Sequence, residues 1–184
     1  MGSLGYSSEA QKSMHVSYDS LGSYLTTLRK SIVTPHPAYE GYSLGKDGNY
    51  QQLNNCLLQI ENEFYSSIRP KRVAHSGETP SNALKRSGVE YIEVRCIDVN
   101  PFVPMGIDKK QILFLDIFLL FCLLSESPII KPKELEYLDS NFDKVVNNGR
   151  EPNLTLETKS GPKPFRQLAS ELLEEIKPVA SLMS

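Results

Sequence analysis

"VEYIEVRCIDVNP", Val89 to Pro101, alternates apolar and polar residues with the period of two that marks a half-buried strand. Ile92, Val94 and Cys96 form one face; Tyr91, Glu93 and Arg95 form the other. "LLQIENEFY", Leu57 to Tyr65, divides in the same manner, with Leu58, Ile60 and Phe64 against Gln59, Glu61, Glu63 and Tyr65. The alternation therefore predicts two strands, over 57–65 and 89–98, each with one apolar face and one face equipped for chemistry.

Around these strands the pattern is helical. Leu21, Tyr24, Leu25, Leu28 and Ile32 recur at helical spacing, with Ser17 or Asp19 available as a cap. "TPHPAYEGYSLGKDGNYQQ", residues 34–52, breaks regular structure with two prolines and three glycines, and its "KDGN" reads as a hairpin turn. Residues 66–88 read as a long irregular connection. Asp108 and Gln111 form a capping box before "ILFLDIFLLFCLL", Ile112 to Leu124. That run is too short for a bilayer span and is apolar nearly all round, which predicts a buried helix over 108–125. Residues 131–150 carry one or two helices stopped at Gly149, and "FRQLASELLEEIK" forms a last amphipathic helix ending before Pro178.

The totals exclude more than they specify. A chain of 184 residues is long enough for one domain with a real core. A net charge of -2 indicates no nucleic-acid partner, although Arg69, Lys71 and Arg72 could make a small anion site. Cys56, Cys96 and Cys122 are odd in number and show no CxxC spacing, which points to free thiols in the cytoplasm. Neither a secretory signal nor a membrane span is read. His15, His36 and His75 read as surface residues, and Cys96 as core.

A sheet face bearing Glu61, Glu63, Glu93 and Arg95 must be solvated, paired or filled by a ligand, because a lone buried ion costs several kcal/mol. Were the two strands neighbours, mutual repulsion of their carboxylates would raise the pKa of one or call in a divalent cation; oxygen-only ligands favour magnesium or manganese. Arg95 would then be placed to hold a phosphoryl or carboxylate oxygen with both arms of its fork. A solvated face with cross-strand ion pairs, each contributing about 0.2 to 1 kcal/mol, accounts for the same pattern. Periodicity does not choose between them.

"LLQIENEFYSSIRPKR", followed by "SGETPSNAL" and "GVEYIEVRCIDVNPF", with "MGSLGY" at the start, resembles the glutamate–cysteine ligases of the proteobacterial type. The resemblance implies an α+β fold in which a glutamine synthetase-like antiparallel sheet forms the wall of a funnel, with helices packed outside. It implies ATP-dependent joining of the L-glutamate γ-carboxylate to the amine of L-cysteine through γ-glutamyl phosphate, with Mg2+ or Mn2+ required. Residue by residue, Glu93 matches a metal ligand and Arg95 a catalytic arginine that contacts the transferring phosphoryl group. Tyr6 and Tyr65 match tyrosines of the cysteine pocket, and Glu61, Asn62 and Glu63 match the strand on the nucleotide side.

Family members are longer and carry further metal-binding carboxylates and a histidine upstream of the segment that opens this chain. The resemblance thus implies that residues 1–184 are a single incomplete catalytic domain, a central fragment inactive by itself. Two other readings stay open: a non-catalytic metal- or nucleotide-binding module, and another glutamine synthetase-like carboxylate–amine ligase.

Overall fold

The structure, a computed structural model, describes residue 11 and residues 14–41 and 51–183; the expected "KDGN" turn and Tyr6 lie outside the described residues. The chain divides into two compact units, one ending at Ile97 and one running onward from Asp98.

The first unit is organised by helix α1, Leu21–Ser31. Its cap is Ser20, not Ser17 or Asp19: the Ser20 hydroxyl accepts from the Ser23 amide while the Ser23 hydroxyl accepts from the Ser20 amide. This reciprocal pair satisfies two amide donors at the helix start. Tyr24, Leu25 and Leu28 share one face of α1 and pack with Leu58, Phe64 and Leu84 into the core. Strand β1, Ile68–Lys71, helix α2, Pro80–Ser87, and strand β2, Tyr91–Val94, follow. Residues 66–88 are thus more regular than an irregular connection. Thr79 caps α2, with Pro80 in its first turn, and Gly88, at a φ of 74°, ends it and turns the chain into β2.

β1 and β2 pair antiparallel, with Arg69 opposite Glu93 and Lys71 opposite Tyr91. The expected strand at 89–98 is therefore present over its central residues. The expected strand at 57–65 is not: Glu61–Glu63 is a single 3-10 turn. The physical reason lies in how its polar side chains bond. A Glu63 carboxylate oxygen accepts a hydrogen bond from the Gln59 amide, and the Glu61 carboxylate turns inward to accept from the backbone amide and hydroxyl of Ser81. Leu58 is fully buried and Phe64 nearly so, but Ile60 between them is 46% exposed, so the segment has no continuous apolar face.

In the second unit, α3 spans Lys109–Leu124 with the expected Asp108–Gln111 capping box. It is not buried: none of its residues is, and Ile112, Leu113, Phe114, Leu123 and Leu124 stand exposed. A helix apolar on every side needs neighbours on every side, and α5, Phe165–Leu182, packs against only part of it. Helix α4 is one continuous element, Pro132–Asn148, ended at Gly149. Its buried Asn141 donates to the Glu157 carbonyl and accepts from the Glu157 amide, clamping α4 to β3, Thr155–Leu156, which pairs with β4, Lys163–Pro164. α5 continues through Pro178 instead of stopping before it. No described helix is long and apolar enough to cross a membrane.

Two outcomes test this description. Leu58→Ala should cost about 2–5 kcal/mol in urea unfolding, whereas Ile60→Ala should stay within about 0.5 kcal/mol. Equal losses at both would restore the strand. The exposed face of α3 should make the 184-residue chain self-associate as concentration rises, measured by light scattering, and Phe114→Asp should reduce it; a monodisperse wild-type monomer would contradict this.

Candidate functional site

The site is built on one face of the β1–β2 ribbon. Because strand side chains alternate, Arg69 and Lys71 of β1 share a face with Glu93 of β2 and with Arg95 just beyond it. Ile68, Pro70 and Ile92 look the other way, into an apolar hollow also lined by Tyr18, Leu21 and Tyr24. Pro70, which lacks an amide proton, is tolerated because β1 pairs on one side only among the described residues.

Three cations converge on Glu93. Lys71 Nζ lies 3.6 Å and Arg69 Nη1 3.9 Å from Glu93 Oε2, and Arg95 Nε lies 3.9 Å from Oε1. These are ion-pair separations, too long for good hydrogen bonds. Glu93 Oε2 is buried and has no hydrogen-bond partner among the described residues. What offsets its burial is the attraction of the neighbouring cations.

Arg95 is fixed from two directions. Its amide donates to the Ser67 carbonyl, and its guanidinium sits 4.9 Å from the centre of the Tyr65 ring, a cation–π contact. Tyr65 is steadied in turn: its amide donates to Gln11 Oε1, while Gln11 Nε2 donates to the Glu63 carbonyl. Arg95, Tyr65 and Glu93, far apart in sequence, thus meet at one end of the ribbon.

The remaining expected residues do not join this face. Glu61 is buried under the start of α2, where Ser81 also accepts from Arg29 Nε at 3.3 Å. Asn62 is exposed, and Glu63 braces its own turn. The pattern of four acidic and basic groups on two strands is therefore replaced by one carboxylate and three cations. Arg69 and Lys71 had been grouped with Arg72 as an anion site, but Arg72 donates to the Gly88 carbonyl and pairs with Glu90, away from the cluster. Alternation within "IRPK" was the available signal for a second strand, obscured by its proline. Cys96, expected in the core, is exposed, because the chain leaves the ribbon after Val94.

Among the described residues no three metal-ligating side chains gather. Magnesium in phosphoryl chemistry is commonly held by one or two carboxylates, with phosphate and water completing its shell. Glu93 is a single carboxylate among three cations, so the described residues do not by themselves make a site for a divalent cation.

The glutamate–cysteine ligase family model matches residues 1–145. The chain is 47% identical to a glutamate–cysteine ligase of Pseudomonas fluorescens and 49% identical to one of Pseudomonas paraeruginosa, over its whole length in both cases. It spans about a third of the length of those relatives, 34% of each. A crystal structure of the glutamate–cysteine ligase of Francisella tularensis in complex with AMP superposes with a TM-score of 0.87 at 37% identity, covering 95% of this chain and 36% of that one. With the family model covering most of its residues, the chain belongs to the glutamate–cysteine ligase family.

Proposed function

We propose that these residues form part of the site of an ATP-dependent glutamate–cysteine ligase, which makes the amide between the L-glutamate γ-carboxylate and the amine of L-cysteine, the first step of glutathione synthesis. The carrying observation is the face of the β1–β2 ribbon on which Glu93 is ringed by Arg69, Lys71 and Arg95, with Arg95 against the Tyr65 ring. Family membership and the AMP bound by the Francisella tularensis relative support the same reading.

In this reading the glutamate γ-carboxylate attacks the terminal phosphorus of ATP, giving γ-glutamyl phosphate and ADP. The cysteine amine then attacks the acyl carbon, expels inorganic phosphate and loses a proton as the amide forms. Glu93 would hold Mg2+ or Mn2+, which when bound offsets phosphate charge. Arg95 presents two parallel N–H donors to oxygens of the transferring group, stabilising the negative charge that gathers there. Stacking on Tyr65 limits the orientations of that fork before substrate arrives. Arg69 and Lys71 leave the cluster with a surplus of positive charge over Glu93, suited to a polyphosphate. Tyr65, together with Tyr6, is assigned to the cysteine pocket. Glu61 acts at a distance, holding α2 beneath the "ENE" turn, and Asn62 and Glu63 lie beside it on the nucleotide side. Three free cysteines suit a reducing compartment, and the cytoplasm is the assigned location.

The test uses a chimera in which these 184 residues replace their aligned third of the Pseudomonas fluorescens relative. ATP-dependent formation of γ-glutamylcysteine by a folded chimera is expected; a folded, inactive one would contradict the proposal. Arg95→Lys in that background keeps the charge and loses the fork. It should lower kcat by about 100-fold, while the melting temperature changes little because the side chain is partly exposed. Unchanged turnover would remove Arg95 from the mechanism.

A further inference from the structure

After the 3-10 turn Glu61–Glu63 the backbone runs extended, with Phe64 at a φ of -61° and a ψ of 115°. An extended backbone turns its carbonyls and amides sideways, where a neighbouring strand would bond them. Residues 63–65 belong to no strand, and one side chain takes the place of that neighbour. Gln11 Oε1 accepts from the Tyr65 amide at 2.9 Å, and Gln11 Nε2 donates to the Glu63 carbonyl at 2.9 Å. One carboxamide, which carries an acceptor and a donor in a single rigid plane, thus spans Phe64 from both sides.

This clamp holds a segment that matters to the site. The buried Phe64 packs edge-on to Tyr24, with ring centres 6.4 Å apart, and so fixes the segment to the α1 core. Gln11 fixes the backbone on either side of it. Tyr65 carries the Arg95 guanidinium 4.9 Å from its ring centre. A rotation of the backbone at 63–65 would draw the ring away, and Arg95, 35% exposed, would regain the orientations of a solvated side chain.

We propose that Gln11 is the positioning residue of the Tyr65–Arg95 pair: its side-chain amide fixes the backbone on which Tyr65 is mounted, and through that ring it sets the direction of the Arg95 fork. This rests on Tyr65 and Arg95 serving the ligase site, as argued above. The role of Gln11 is indirect, exerted on the backbone of Glu63 and Tyr65.

Kinetics of the chimera separate positioning from a loss of stability. A variant that only folds less well lowers apparent kcat through its active fraction and leaves KM unchanged. A displaced Tyr65 raises the KM for cysteine, and a misdirected Arg95 lowers kcat. Gln11→Ala is expected to change both, lowering kcat/KM for cysteine by about 10- to 100-fold, the scale of a misplacement of about 1 Å. Gln11→Glu keeps the reach and the acceptor but has no donor for the Glu63 carbonyl, and should be impaired in the same way. Tyr65→Leu is the reference: in that background Gln11→Ala should cost nothing further, because Gln11 acts through Tyr65.

If Tyr65→Leu impairs turnover while Gln11→Ala keeps wild-type kcat and KM for cysteine, the positioning role is overturned and the reading of Tyr65 stands. Additive losses in the double variant, or a fall in kcat with KM unchanged, would also overturn it. If Tyr65→Leu changes nothing, the reading of Tyr65 fails and the role of Gln11 fails with it. Should Gln11→Ala not fold, Gln11→Glu decides alone, and wild-type kinetics there would overturn the proposal.

Discussion

The pairing of Arg69 with Glu93 across the β1–β2 ribbon is the constraint on which the rest of the site depends. A shift of one residue in that register would send Arg69 to the apolar hollow and leave Glu93 facing a proline. With the observed register, every charged residue of the cluster comes to one face and Ile68, Pro70 and Ile92 to the other. A two-stranded ribbon is marginal by itself in water, and this one leans on α1 through that second face. The chemistry on one side is thus held in place by apolar packing on the other.

Charge balance explains why the cluster suits a reactive site more than a structural one. Its ion pairs are long and partly exposed, so their contribution to stability is small. A structural ion pair would close to hydrogen-bond distance and fill the oxygen lone pairs; here Glu93 Oε2 is left empty-handed at some cost in desolvation. Glu61 shows the contrast within the same unit. Its carboxylate is fully engaged with Ser81, and it stabilises a turn and a helix start without any group left over.

Strand β2 was legible in the sequence because four successive residues obey the period of two and a real sheet partner exists for them. The segment 57–65 obeys the same period and is not a strand, since Glu61 and Glu63 bond locally and inward instead of outward. Alternation records which residues are apolar, not where a carboxylate finds its donor. β1 was hidden by Pro70, so Arg69 and Lys71 were read only as an anion site with Arg72 and not as neighbours of Glu93. The capping box of α3 was legible to the residue because capping is local, whereas its burial was not, since that depends on surfaces that residues 98–184 do not supply. Alternation singled out Arg95, and the resemblance gave Tyr65 its role; their contact depends on tertiary folding, which spacing cannot reveal.

The central proposal is that Glu93, held beside three cations, is a metal ligand. A crystal structure of the chimera with Mn2+ and a non-hydrolysable ATP analogue, using the anomalous scattering of manganese, tests it most directly. The account predicts a manganese peak within coordination distance, about 2.1–2.2 Å, of Glu93 Oε2, with analogue phosphate beside Arg95. Manganese bound elsewhere, with Glu93 closed into hydrogen bonds to Arg69 and Lys71, would contradict it.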